Sequence, residues 1–142
     1  MRVRWALMIA LAGVAAATAR AGDPVVHIPA SEAAVAFAKG AVLTKGADYR
    51  IDASNRTAPG EVEIHEAETD IFYVIEGAAT LVTGGTIKEA REVGPGEIRG
   101  KDVVGGEVRR IGKGDVVVIP KGTPHWFKEV PRPTTYFVVK VR

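Results

Sequence analysis

Polar and apolar positions alternate along Glu61-Val62-Glu63-Ile64-His65. A period of two is the mark of a strand with one face turned inward. Ile71–Ile75 and Ala79–Thr83 are β-rich runs ending at Gly77 and at Gly84-Gly85. Val116–Ile119 lies between Gly114-Asp115 and Pro120, and Tyr136–Val141 is the last such run. Short apolar runs bounded by turn residues predict a β-sandwich or barrel. Residues 86–113 are polar and glycine-rich, which predicts a hairpin or long loop with edge strands near Ile98 and Val108–Ile111. Helical spacing occurs once in the chain after its N-terminal segment, over Ser31–Gly40. There Ser31 is expected to cap the N-terminus, Glu32 to favour the first turn and Gly40 to stop the helix.

The first residues follow a different pattern. Arg2 and Arg4 form a basic start, Trp5–Thr18 is apolar, and Ala19-Arg20-Ala21 supplies small residues at a cleavage position. This predicts a secretory signal peptide over 1–21, a domain over 22–142, and export to the periplasm or beyond. The apolar run is shorter than the roughly 20 residues that span a bilayer.

Cleavage changes the charge. The whole chain carries 19 basic and 17 acidic residues, for a net +2. Losing Arg2, Arg4 and Arg20 leaves 16 basic residues and a mature chain near −1. No electrostatic case remains for nucleic acid or an anionic membrane as a partner. The chain has no cysteine, which excludes disulfides, thiolate metal sites and a cysteine nucleophile. The 142 residues suit one domain, and 16 glycines and 8 prolines suit a turn-rich one.

Two spaced motifs carry more. Gly60 is followed by Glu63, His65, Asp70 and Gly77. Farther on, Gly114-Asp-Val-Val-Val-Ile-Pro120-Lys-Gly122-Thr-Pro-His125 forms a second block. The pair resembles the two motifs of the cupin family. The second block agrees at every motif glycine, proline and histidine. In the first, His65 takes the place of the second family histidine and Asp70 that of the acid, while Glu63 stands where the family usually has its first histidine. Glu129 replaces a frequent asparagine beyond the second block. The resemblance implies an all-β, jelly-roll-like barrel of two antiparallel sheets, metal ligands on its inner face, and often a homodimer.

The residue types fit that expectation. Glu63 and His65 lie two apart on one strand and so face one way. If the two motif strands adjoin, Asp70 and His125 converge on them. Two imidazoles with one or two carboxylates suit one divalent ion, Fe, Mn, Ni or Zn. His65, Asp70 and His125 would make the two-histidine, one-carboxylate set of non-haem iron oxygenases. Glu63 is open to three roles: a further ligand, a catalytic general base beside the metal, or a partner orienting His65. Phe72, Phe127 and Tyr136 are expected to contact a substrate, with Arg56, Tyr73 and Lys140 as weaker candidates. His27 and the charges Lys88, Glu89, Arg91 and Glu92 read as surface.

The expected function is a metal-binding cupin acting on a small organic molecule, with dioxygenase-like chemistry. The alternatives are a cupin isomerase and a non-catalytic module binding a sugar or an aromatic acid. No Gly-x-Ser-x-Gly nucleophile elbow and no phosphate-binding glycine loop is present.

Overall fold

The runs Ile71–Ile75 and Ala79–Thr83 are parts of one strand in the computed structural model, which describes residues 22–142. The expected signal peptide, 1–21, lies outside the described residues. In chain order, helix α1 (Ala30–Lys39) is followed by β1 (Ala41–Lys45), β2 (Tyr49–Arg56), β3 (Val62–His65) and β4 (Thr69–Thr83). Next come β5 (Thr86–Lys88), β6 (Arg91–Gly94), β7 (Glu97–Gly100), β8 (Asp102–Val104) and β9 (Glu107–Gly112). The strands β10 (Val116–Ile119) and β11 (His125–Val141) complete the set.

The expected all-β architecture with one short helix is what the chain adopts. Its two layers are joined, however. Nine strands form one antiparallel sheet, curled into a half-barrel, while β5 and β8 make a separate ribbon. The long strands β4 and β11 make this continuity possible. Gly77 lies inside β4 with φ +92°, and a Cβ there would stand 2.2 Å from the Pro133 carbonyl oxygen. Only glycine accepts both the torsion and the approach. Opposite it, β11 slips register repeatedly between Phe127 and Tyr136. Such bulges bend a strand and tolerate proline, which is how Pro131 and Pro133 sit within β11 instead of ending it.

The N-cap lies two residues earlier than expected. Pro29 occupies the N-cap, and Ser31 falls within the first turn with no side-chain cap bond. A proline there fixes φ near the helical value and lacks only an N–H that would find no partner. Gly40 stops the helix as expected, with φ 71°. No residue of α1 is buried, so the sheet holds the core without it.

That core gathers Phe72, Val74, Ala79, Leu81, Ile111, Ile119, Phe127, Tyr136 and Val138. Each large side chain fully buried there contributes about 1.5–3 kcal/mol. Phe127 and Tyr136 stack with ring centroids 5.1 Å apart, and Phe72 lies 5.3 Å from Tyr136. These aromatics belong to β4 and β11 and form one wall of the functional site. Among the described residues no helix is long and apolar enough to cross a membrane.

Candidate metal centre

β3 presents Glu63 and His65 on one face, as the period-two pattern demands. Across from them β11 begins, with His125 opposite Glu63 in register. The loop before His125 is tied down by a hydrogen bond from the Gly122 amide to the His65 carbonyl, 2.8 Å. One oxygen of Glu63 lies 3.5 Å from His65 Nε2 and 3.8 Å from His125 Nε2. A ligand atom from each of the three lies within 4.8 Å of the other two.

Each imidazole is aimed by its other nitrogen. His65 Nδ1 lies 2.7 Å from a Glu97 oxygen on β7, and His125 Nδ1 lies 3.1 Å from the Thr123 carbonyl. An acceptor at Nδ1 places the proton there and leaves the Nε2 lone pair free for a metal. Glu97 opposes His65 in the β3–β7 register.

The charges respond to this crowding. Burial alone would push the Glu63 carboxyl up. His65, Arg99, His125 and Arg56 outweigh it and bring the pKa down to about 2. For His65, burial acts downward and so does Lys140, but Glu63, Asp70 and Glu97 together raise it above the usual 6.5. Burial dominates at His125 and lowers it, against Thr123, Asp70 and Glu63.

Asp70 also reaches the histidines, with Oδ2 3.5 Å from His65 Nε2 and 3.7 Å from His125 Nε2. Both its oxygens, however, accept from Lys140 Nζ, at 2.7 and 2.8 Å. Asp70 and Lys140 face each other across β4 and β11, and both are buried. The uncommitted carboxylate is therefore Glu63, and the cluster able to hold a metal is Glu63, His65 and His125.

A cavity of about 150 Å³ adjoins these residues. Phe72, Phe127 and Tyr136 line it, together with Ser54, Arg56 and Val138. A larger, shallower groove of about 610 Å³ lies outside, between β1 and β2, and does not reach the histidines. Asp52, Ser54, Arg56 and Tyr136 line both spaces. Trp126 turns away from His125, its Nε1 donating to the Gly60 carbonyl at 2.8 Å.

A model of the cupin family matches residues 39–141. The chain belongs to the cupin family. Solved structures agree on the fold. A Bacillus halodurans protein, BH2720, superposes with TM-score 0.59 at 16% identity, covering 84% of this cupin and 81% of that chain. The Schizosaccharomyces pombe Cnp3 cupin domain gives 0.52 at 14% identity, covering 72% and 59%. The Neisseria meningitidis protein NMB1881 gives 0.51 at 10% identity, covering 72% and 82%. At such identities the likeness concerns the fold alone. No curated protein sequence matches this cupin.

The donor set fits a divalent metal. Metal–ligand bonds of about 2.0–2.2 Å at tetrahedral or octahedral angles put neighbouring donors roughly 3–3.5 Å apart. Glu63 stands 3.5 Å from His65 Nε2 and 3.8 Å from His125 Nε2, and all three donors lie within 4.8 Å of one another, so the set could close on an ion by moving inward. The sequence singled out Glu63, His65, Asp70 and His125, and the fold brings all four together. It did not single out Glu97, which is 32 residues from His65 and reaches it only through strand pairing. The mutual commitment of Asp70 and Lys140 was likewise hidden, being set by register across 70 residues.

Proposed function

We propose that this cupin is a metal-dependent enzyme acting on a small organic substrate, with dioxygenase-like chemistry. The observation that carries this reading is the convergence of two histidine Nε2 atoms and one carboxylate beside a small aromatic cavity. Two histidines and one carboxylate bind a divalent metal while leaving coordination positions open. When bound, such an ion supplies a Lewis-acid and, if iron, a redox centre for the substrate and oxygen.

The chain's own groups do the rest. Glu63, held ionised down to about pH 2, is too weak a base to take a proton from most carbon acids. That supports the ligand role over the general-base role for this residue. Neutral His125 offers its lone pair without first losing a proton. Phe72, Phe127 and Tyr136 supply an apolar wall against which a substrate's carbon skeleton can rest. A cavity of about 150 Å³, lined by both aromatic and charged side chains, limits the guest to a small molecule.

Export belongs to the same proposal. It rests on the basic, apolar and small-residue pattern of residues 1–21. An intact mass starting after Ala21 for the protein from its native host would support it, and a retained Met1 would end it.

Elemental analysis of untagged protein, followed by oxygen-uptake assays, tests the enzymatic reading. Stoichiometric iron with substrate-dependent oxygen uptake is the expected result. His65→Ala and His125→Ala should each abolish stoichiometric metal while the β-sheet circular dichroism persists, and Glu63→Gln should weaken binding. Protein that takes up no metal from iron, manganese, nickel or zinc would reduce the site to a polar pocket that binds a ligand without catalysis.

A further inference from the structure

Arg56 ends β2 at the boundary between the outer groove and the inner cavity. Its guanidinium is held on several sides. Nε donates to the Tyr136 hydroxyl at 3.3 Å, and the group packs over the Phe127 ring, 4.6 Å from its centroid. Gly60 makes room for it, since a Cβ there would come 2.5 Å from Nη1. Held this way, the group has lost most of its freedom before any ligand arrives.

Its hydrogen-bonding capacity is nonetheless almost unused. Arginine carries five N–H donors, and among the described residues only Nε has an acceptor. Glu63 lies 3.9 Å from Nη2, beyond hydrogen-bond reach. Apart from Glu63, the other charges lining the cavity are engaged. Lys140 is committed to Asp70, and Asp52 faces Arg50 at 3.1 Å. Arg56 is therefore the uncommitted cation among the described residues lining this cavity. A half-used, preorganised guanidinium fork matches a carboxylate, which it binds through two parallel hydrogen bonds.

We propose that the substrate is a small carboxylic acid, no larger than benzoate, whose carboxylate docks on Arg56 with its carbon skeleton against the wall formed by Phe72, Phe127 and Tyr136. The inference rests on the proposed function and names its substrate class. Seated there, the acid turns the atoms beyond its carboxylate toward Glu63, His65 and His125. Arg56 thus selects the anion and sets which end meets the metal. The bland alternative makes Arg56 a counter-ion for Glu63. The two readings part experimentally, because a counter-ion alters metal affinity and leaves acids and amides indistinguishable.

The test is calorimetric titration of zinc-loaded and metal-free protein with benzoate, pyruvate, benzamide, pyruvamide and inorganic phosphate. Wild type should prefer each acid over its amide by about tenfold or more, the usual worth of a charge-assisted pair. Arg56→Gln should erase that preference with zinc stoichiometry unchanged. Arg56→Lys, which keeps the charge without the fork, should retain part of it and guards against misfolding of the glutamine variant. An acid preference that survives in Arg56→Gln, or phosphate binding more tightly than either acid, overturns the proposal. Protein that takes no zinc defeats the metal-dependent reading alone, provided the metal-free form still shows the Arg56-dependent acid preference. Absence of that preference in both forms defeats this inference.

Discussion

Glu63 and Asp70 are two carboxylates at the same distance from the same nitrogen, 3.5 Å from His65 Nε2. Their surroundings differ. Asp70 belongs to the β4–β11 wall, where it is buried and gripped through both oxygens by Lys140. Glu63 belongs to the β3–β7 wall, where it is partly exposed and within 3.9 Å of Arg56 without a hydrogen bond. Distance to a metal site thus does not by itself select a ligand. What selects it is whether the carboxylate's lone pairs are already in use. On one wall a fixed cation stands where a metal would compete, and on the other the carboxylate faces two imidazole nitrogens and an arginine 3.9 Å away that makes no hydrogen bond to it.

The sharpest way to break this comparison is to remove the grip. Lys140→Met should leave Asp70 buried without a partner and cost the metal-free protein about 3–5 kcal/mol, the usual penalty for breaking a buried pair from one side. A divalent ion should then restore much of the loss, because the freed Asp70 gains a cation to bind. Chemical denaturation with and without zinc measures both effects. Unchanged metal-free stability, or no recovery with zinc, would show that the pair is not what withholds Asp70.

On the Glu63 wall the corresponding change is gentler. Glu97→Gln keeps a hydrogen-bond acceptor beside His65 but removes the charge. Metal affinity should fall about 10–100-fold, as is typical when a group orienting a ligand histidine is altered. Competition with a chromophoric chelator reads this directly, and an affinity within twofold of wild type would remove Glu97 from the site.

The smallest expected effect is that of pH. Glu63 stays ionised down to about 2, and burial keeps His125 neutral, so His65 takes the first proton on acidification. Its pKa is raised in the folded protein. In the metal-free form its contribution to stability is therefore fully present below the ordinary 6.5 and is lost as pH rises through the raised value. Metal affinity should run the other way, falling by about tenfold per unit below that raised value, because proton and metal compete for one nitrogen. Two protons released per metal bound, measured by calorimetry in buffers of different ionisation enthalpy, would contradict this single-site account.

Much of this was legible in the sequence because it is local. Alternation from Glu61 to His65 put Glu63 and His65 on one face, and the spacing from Gly114 to His125 identified the second block. Only the Tyr136–Val141 end of β11 was legible as a strand; the rest, from His125, contains Pro131 and Pro133, which the bulges accommodate. The division of labour between Glu63 and Asp70 was not legible at all. It depends on Lys140 meeting Asp70 in register and on Glu97 meeting His65, and register is set by the pairing of distant strands. Sequence spacing reveals which donors can meet, while pairing decides which remain available.

β11 carries His125 at one end and Lys140 near the other, and both arrive at the same centre. The centre is therefore assembled late. His65 and His125, 60 positions apart, meet only after the chain between them has closed into a loop, and so do Asp70 and Lys140, 70 positions apart. Loop closure of that kind must precede the contacts that reward it, so the unfolded chain offers an ion no preformed cage. An ion bound by Glu63, His65 and His125 would therefore report that the last strand has docked.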